Sequence, residues 1–164
     1  MDLDNDKIGV GMIVIATLVL GTVGARLLGW SGLDSAGYVD SWPEAVAVGL
    51  AAMFLLTGVA HFVNPLRRDM VSIVPPRLPA PGLLVTITGG LELLGAAGLL
   101  YPPTRVAAAA CLFVLMLAMF PANVRASRMP NPPKSMTTRL DVRTAEQGLY
   151  LAAAAVVVGL GGVQ

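Results

Sequence analysis

Charged residues are scarce in this sequence. Only 13% of its 164 residues are Asp, Glu, Lys or Arg, whereas a soluble domain carries about 25%. The mean hydropathy is +0.74, and 55% of the residues are apolar. No polar stretch is long enough to form a separate soluble core. The composition therefore predicts a single membrane domain whose main surroundings are the lipid bilayer.

Cysteine and histidine are almost absent, each occurring once, as Cys111 and His61. A dithiol–disulfide relay needs two cysteines, and bis-histidine haem ligation needs two histidines. No cluster has the spacing of a metal site, so neither haem nor metal is expected. The sequence also lacks a phosphate-binding glycine motif, a nucleophile elbow and a surface for nucleic acid. Cys111 is expected to be a small packing residue inside a helix.

Long apolar runs are what the sequence does contain. One transmembrane helix needs about 20 residues, so hydropathy predicts an all-α transmembrane helix bundle. The predicted spans are 8–29, 44–63, 82–101, 104–124 and 144–162. The acidic segment before the first span is unlike a signal peptide, which begins with basic residues. An uncleaved first helix is favoured, with cleavage near Val23-Gly24-Ala25 as the alternative.

The basic residues predict the topology, because cytoplasmic loops carry an excess of Lys and Arg. Nine of the 11 basic residues fall on one side, and two, Arg26 and Arg105, fall on the other. The nine are Lys7, Arg67, Arg68, Arg77, Arg125, Arg128, Lys134, Arg139 and Arg143. The N-terminus is therefore expected in the cytoplasm and the C-terminus outside. Trp30, Trp42 and Tyr101 fall at the outer boundary, where aromatic rings settle.

Two serine or threonine patterns predict helix starts. Ser41 with Glu44 reads as a capping box, and Thr144 with Gln147 offers the same arrangement for the last span. The helix dipole, which favours carboxylates in a first turn, would then account for Glu44 and Glu146.

The two longest connections have different characters. Residues 64–81 begin with a short amphipathic helix, expected in the cytoplasmic interface, where Arg67 and Arg68 could meet anionic headgroups. A proline-rich stretch follows, which forms either a lid under the bundle or a stiff spacer. Residues 125–141 are basic and lack apolar periodicity, so they are expected to form a mobile cytoplasmic loop.

Glu92 is the most unusual residue, because it lies near the middle of a predicted span. A charged side chain there costs roughly 3 kcal/mol unless it is paired or protonated, so Glu92 is expected to face the bundle interior. It shares a helix face with Thr88. His61, Asn123 and Gln147 lie towards the cytoplasmic ends of other spans. The sequence predicts a ligand pocket floored by Glu92, opening towards the cytoplasm, with hydrogen bonds that merely hold the bundle as the alternative.

Several motifs, in this order, resemble the DoxX family of small bacterial membrane proteins. They are Gly58-Val59-Ala60-His61-Phe62, Val74-Pro75-Pro76-Arg77-Leu78-Pro79, Gly90-Leu91-Glu92-Leu93-Leu94-Gly95-Ala96-Ala97-Gly98-Leu99-Leu100, Pro103-Thr104-Arg105 and Phe120-Pro121-Ala122-Asn123-Val124. The resemblance covers residues 54–160 and implies a four-helix core in the bacterial plasma (inner) membrane. The first span would be an extra N-terminal helix.

The resemblance also limits the expected function. Relatives include membrane subunits of thiosulfate:quinone oxidoreductase and proteins associated with redox maturation, but no catalytic residue can be carried over. The leading hypothesis is an accessory membrane subunit of a redox system, with protein partners and with quinone as a possible ligand. The alternatives are a scaffold or assembly subunit without its own ligand, and a small enzyme or transporter for a hydrophobic or small anionic substrate.

Overall fold

A computed structural model describes residues 9–32, 34 and 37–161. Within these ranges the chain is helical and has no strand, which confirms the predicted all-α bundle. Its α-helices are α1 (Gly9–Trp30), α2 (Trp42–Ala60), α3 (Leu66–Ile73), α4 (Pro81–Leu100), α5 (Arg105–Arg128) and α6 (Leu140–Leu160). Short 3-10 turns cover Pro102–Thr104 and Lys134–Met136. Lys7, the acidic start and the ends of the first and last predicted spans lie outside the described residues.

Four helices of the described chain are long and apolar enough to cross a membrane. They comprise Gly11–Trp30, Trp42–Ala60, Pro81–Leu100 and Pro102–Arg128. Helix α6 has 21 residues but does not belong to this group, because Asp141, Arg143 and Glu146 make its first two turns polar. A fifth crossing by α6 therefore stays a prediction.

Helices α2, α4, α5 and α6 surround the core. Helix α2 packs on α4 and α6, and α5 packs on the same two helices, so the four form a closed ring. Their buried side chains meet in one apolar cluster that includes Leu50, Leu99, Leu112 and Val157. Helix α1 packs against the outer face of α2. Gly49 allows this close approach, since a Cβ atom there would lie 2.6 Å from the carbonyl oxygen of Leu18.

One end of the bundle, the aromatic end, holds Trp30, Trp42 and Tyr101, all three exposed. The two indoles pack edge to face with centroids 6.2 Å apart, and Arg26 lies over both rings. Arg105 also belongs to this end, where its Nη1 lies 3.4 Å from Oε1 of Glu44. The predicted aromatic boundary is thus a single surface of the bundle.

The opposite end, the basic end, contains α3 and residues 129–139. Helix α5 continues through Pro121 to Arg128, so the connection predicted over residues 125–141 is shorter than expected. It is also fastened to α3, because the hydroxyl of Ser135 donates a hydrogen bond of 2.5 Å to Oδ2 of Asp69. The guanidinium of Arg125 donates to the carbonyl oxygen of Val74. The segment expected to be a mobile loop therefore contacts α3.

The two predicted capping boxes had different outcomes. The first is confirmed, since the backbone N–H of Ser41 donates to Oε2 of Glu44 at 2.8 Å. The second is wrong, because α6 begins at Leu140 and Thr144 lies inside it. The Thr144 hydroxyl donates to the carbonyl of Leu140 at 2.8 Å. The pattern predicted that the helix starts at Thr144, but the helix begins four residues earlier, at Leu140.

Candidate functional site

Glu92 lies in the interior, as predicted, with only 3% of its surface exposed. The hydroxyl of Thr57 on α2 donates a hydrogen bond of 2.6 Å to its Oε2 atom. The Nδ1 atom of His61 lies 3.9 Å from the same oxygen. These three residues, Thr57, His61 and Glu92, form what we call the Glu92 cluster.

The hydrogen bond of His61 fixes one of its protons. Its Nδ1 atom lies 2.8 Å from the carbonyl oxygen of Thr57, and a carbonyl oxygen can only accept. Nδ1 therefore carries the hydrogen. Nε2 has no hydrogen bond within the described part of the chain, so it is the ring nitrogen that can gain or lose a proton. The cluster thus combines a buried carboxyl group with an imidazole that can exchange a proton.

Small residues close the helices around the Glu92 cluster. A Cβ atom at Gly89 would lie 2.9 Å from Cγ of His61, and one at Gly58 would lie 2.8 Å from Cδ2 of Leu93. Glycine at both positions lets the backbones of α2 and α4 approach closely, as in many membrane helix pairs. The cluster is consequently enclosed and has little room for a ligand.

Arg67 closes the cluster at the basic end of the bundle. Its Nη1 donates to the carbonyl of His61 at 3.0 Å, and its Nη2 donates to the carbonyl of Gly82 at 3.2 Å and to the hydroxyl of Thr86 at 3.0 Å. The sequence placed Arg67 among lipid headgroups, but its guanidinium faces the protein because three acceptors converge there. Arg68, its neighbour, is exposed as expected.

A separate cavity of about 360 Å³ opens at the basic end between α1, α2, α3, α5 and α6. We call it the α6 cavity. Its walls are apolar where Val14, Leu56, Ala60, Leu66 and Met70 line it. Its polar lining residues are Thr57, Asn123, Ser135, Thr138, Arg143, Glu146, Gln147 and Tyr150. Apolar walls with a few convergent polar groups are typical of small-molecule sites.

Hydrogen bonds within the protein orient several polar side chains of this cavity, including those of Gln147 and Arg143. Nε2 of Gln147 donates to the carbonyl of Met116 at 2.8 Å. Arg143 donates from Nη1 to Oδ1 of Asn123 at 3.3 Å, from Nε to the carbonyl of Thr138 at 3.1 Å, and from Nη2 to the sulfur of Met136 at 3.6 Å. The protein therefore holds these polar side chains in fixed orientations around the cavity.

The family model for a domain of unknown function, DUF8561, matches residues 50–158. The chain belongs to this family. Neither a curated protein nor a solved structure matches it. The DUF8561 match extends from the middle of α2 to near the end of α6, so it includes the whole Glu92 cluster. It also includes every wall of the α6 cavity except the one that α1 supplies.

The DUF8561 fold divides the predicted pocket into two sites. Asn123 and Gln147 line the α6 cavity, whereas Glu92 and His61 lie behind its wall, and Thr57 belongs to both sites. The hydroxyl of Thr88 bonds instead to the carbonyls of Leu84 and Val85 on its own helix, both at 3.0 Å. Thr88 therefore contributes to neither site.

Among the residues of the α6 cavity that sequence reasoning missed, three lie on α6, namely Arg143, Glu146 and Tyr150. Arg143 was read only as a topology signal and Glu146 only as a first-turn carboxylate, while Tyr150 was not considered. Together with Gln147 they recur at spacings of three and four, which places them on one face of α6. That polar face was the available signal, and the assumed helix start at Thr144 obscured it.

Cys111 lies on the outside of this DUF8561 bundle, not in its packing. It borders an apolar groove of about 560 Å³ between α4 and α5, together with Leu94, Gly98 and Ala108. Helix α5 turns Cys111 outwards because Leu112 and Met116 occupy its inward face. The groove has the composition of a surface that meets lipid tails or another membrane helix.

Proposed function

We propose that this protein binds an amphipathic, membrane-soluble ligand in the α6 cavity and acts as an accessory membrane subunit of a redox system. The observation that carries the proposal is the cavity itself, which joins apolar walls to a fixed polar lining. A quinone is the model ligand, because its ring suits the walls and its oxygen atoms suit the polar groups. No catalytic residue is proposed.

The dimensions and lining of the cavity support a ligand of this class. Ligand pockets usually have volumes of about 300–1,000 Å³, and this cavity has about 360 Å³. That volume suits a ring or a lipid headgroup, with a long tail left outside. Val14 and Leu56 come from neighbouring helices and give such a tail an apolar path towards the lipid.

The redox context rests on the resemblance to DoxX proteins. The residues that carry this resemblance, 54–160, nearly coincide with residues 50–158 of the family match. We propose on this basis that the protein is a bacterial plasma-membrane relative of DoxX proteins. The excess of basic residues at the basic end supports a cytoplasmic N-terminus, and thus a cavity that opens in the cytoplasmic half of the bilayer.

The test is to fill the cavity and measure what remains bound. Protein extracted with its native lipid should carry a bound quinone or lipid detectable by mass spectrometry. Ala60→Phe would occupy the cavity and should remove that ligand, while Ala16→Phe, at an exposed position on α1, should retain it. Equal ligand content in the two folded variants would refute the cavity as the site.

The groove beside Cys111 favours a second candidate, a scaffold that docks a partner membrane helix. Small residues such as Gly98 and Ala108 border it, and small residues let membrane helices approach closely. Cys111→Phe would obstruct the groove while leaving the α6 cavity intact. Loss of co-purifying membrane proteins with ligand retained would favour this candidate, and an unchanged set of partners would count against it.

A further inference from the structure

We infer that the α6 cavity selects a ligand whose head group donates hydrogen bonds through hydroxyls, as a quinol does, over a head group that only accepts them, as a quinone does. This inference rests on the proposed function and narrows its ligand class. It follows from counting which polar atoms of the lining are already used within the protein.

The two hydroxyl groups whose hydrogen bonds are defined have no hydrogen left for a ligand. Thr57 donates its hydrogen to Glu92 at 2.6 Å, and Ser135 donates its hydrogen to Asp69 at 2.5 Å. A hydroxyl has one hydrogen and two acceptor lone pairs. Thr57 and Ser135 can therefore offer only acceptor sites to a molecule in the cavity.

Two side chains of α6 add further acceptor atoms. The amide nitrogen of Gln147 faces the carbonyl of Met116 at 2.8 Å, which sets the orientation of the amide, because a carbonyl needs a donor. The remaining atom of that amide, Oε1, is an acceptor. The carboxylate of Glu146 interacts electrostatically with Arg143 but makes no hydrogen bond to the described residues, so its two oxygens can still accept hydrogen bonds.

The lining also offers donors, among them the hydroxyl of Tyr150, which makes no hydrogen bond to the described residues. Each of the three guanidinium nitrogens of Arg143 has a partner in the protein, but Nη1 and Nη2 carry two hydrogens each, so one hydrogen on each remains free to donate. Oδ1 of Asn123 receives one of these bonds, which leaves its amide nitrogen free to donate. A hydroxyl on the ligand satisfies both kinds of atom, because it donates and accepts. A carbonyl can pair only with the free donors, and it would leave the acceptors desolvated and unpaired, which is costly.

The charge of the lining argues against a cationic donor. An ammonium group would gain from Glu146 but would also meet the positive charge of Arg143, one helical turn away on the same face. A neutral hydroxyl avoids that repulsion. The preferred ligand therefore has an uncharged head with at least one hydroxyl.

Thr57 connects such a ligand to the Glu92 cluster. A ligand hydroxyl that donates to Oγ1 of Thr57 extends a chain in which Thr57 in turn donates to Glu92. Hydrogen bonds in such a chain polarise one another. Thr57 is therefore a positioning residue that makes the carboxyl group of Glu92 sensitive to occupancy of the cavity.

The experiment compares the affinities of two probes, decylubiquinol and decylubiquinone, for the protein in lipid nanodiscs under anaerobic conditions. The two probes differ only in that the quinol has hydroxyls where the quinone has carbonyls. A site built for a hydroxyl discriminates strongly against an analogue without it. We therefore expect the quinol to bind at least about tenfold more tightly. Thr57→Val should reduce this ratio several-fold, and Thr88→Val, whose hydroxyl serves its own helix, should leave it unchanged.

The outcomes separate the inference from the proposed function. If neither probe binds, the proposed function fails. If both probes bind with equal affinity, the function stands and the inference is overturned. If Thr57→Val does not fold, Glu146→Gln decides. Glu146→Gln replaces an acceptor with a group that also donates, so quinone should bind more tightly and the ratio of quinol to quinone affinity should fall. An unchanged ratio would refute the inference that free acceptor atoms determine the preference.

Discussion

The Glu92 cluster and the α6 cavity are both polar groups between apolar helices, yet they differ in how completely their atoms are paired. In the Glu92 cluster the three side chains contact one another and the helices close around them. Around the α6 cavity the helices leave an open space, and the carboxylate oxygens of Glu146 and Oε1 of Gln147 make no hydrogen bond to the described residues. The paired polar residues therefore join α2 to α4, whereas the unpaired ones are those to which we assign the proposed ligand.

Residue size at the helix contacts produces this difference. Gly58 and Gly89 bring α2 and α4 together over the cluster. On the other side of Thr57, Leu56 of α2 and Tyr150 of α6 line the open space that forms the cavity. The comparison predicts that substitutions in the cluster change stability, whereas substitutions in the cavity change binding.

The largest effect is expected from Gly89→Leu. A side chain there would collide with His61 and Phe62, and overpacking costs about 1–3 kcal/mol in the free energy of unfolding. Gly90→Leu is the matched control, because nothing lies within 4 Å of a Cβ atom at Gly90. Unfolding by SDS titrated into mild detergent would measure both. Equal losses for the two variants would show that α2 and α4 are not closed over the cluster.

The next effect concerns the bond between Thr57 and Glu92. Thr57→Val should lower the free energy of unfolding by about 1 kcal/mol, because hydrogen bonds in membrane proteins average about 0.6 and reach about 1.7 kcal/mol. The same change in a Glu92→Leu background should cost almost nothing, since no acceptor remains. A coupling energy near zero in this double-mutant cycle would mean that the bond contributes no stability.

Tyr150→Phe should separate binding from stability. The hydroxyl of Tyr150 has no hydrogen bond within the described part of the chain, so the free energy of unfolding should change by less than about 0.5 kcal/mol. Quinol affinity should fall about two- to fivefold, because one neutral hydrogen bond contributes about 0.5–1.5 kcal/mol. Tyr101→Phe, at the opposite end of the bundle, is the control. A large loss of stability would place Tyr150 with the cluster, not with the cavity.

The smallest effect on affinity is expected from Ser135→Ala. This change removes the hydrogen bond of 2.5 Å that fastens residues 129–139 to Asp69 on α3, beside the mouth of the α6 cavity. The rate of ligand exchange, measured by displacement of a fluorescent quinone analogue, should increase several-fold, and the loss of the Ser135 acceptor should weaken quinol binding by less than Tyr150→Phe does. Ser127→Ala, which removes only a local bond to Val124, should leave the exchange rate unchanged.

The sequence predicted most of the fold because hydropathy and prolines directly report helix positions. Pro102 and Pro103 lie in the short turn between α4 and α5, at the boundary between the predicted spans 82–101 and 104–124, and the two helices pack against each other. The start of α6 was misplaced, because Asp141 and Arg143 resemble loop residues until the turns they belong to are seen packed. The end of α5 was misplaced for a related reason, since Arg125 and Arg128 follow the apolar run without leaving the helix.

The candidate site was only partly predictable. The burial of Glu92 was predictable, because a charged side chain is costly in lipid. The hydrogen-bond partner of Glu92 was not predictable, because the rotation of each helix about its own axis decides whether Thr57, His61 or Gln147 faces the carboxyl group. Arg67 shows the same limit. Its spacing on α3 suited a lipid-facing charge, whereas the fold brings the carbonyls of His61 and Gly82 within reach.

Helix α1 lies outside residues 50–158 of the family match, yet Val14 and Gly11 supply one wall of the α6 cavity. Without that wall, the cavity would be a shallow groove continuous with the surrounding lipid, and a ligand could leave sideways without any rearrangement. With α1 in place, departure requires either α1 to tilt away from α2 or the fastened segment 129–139 to move. Under the proposed function, helix α1 would set the residence time of the ligand, and changes in α1 would adjust how long the ligand stays without altering the residues that recognise it.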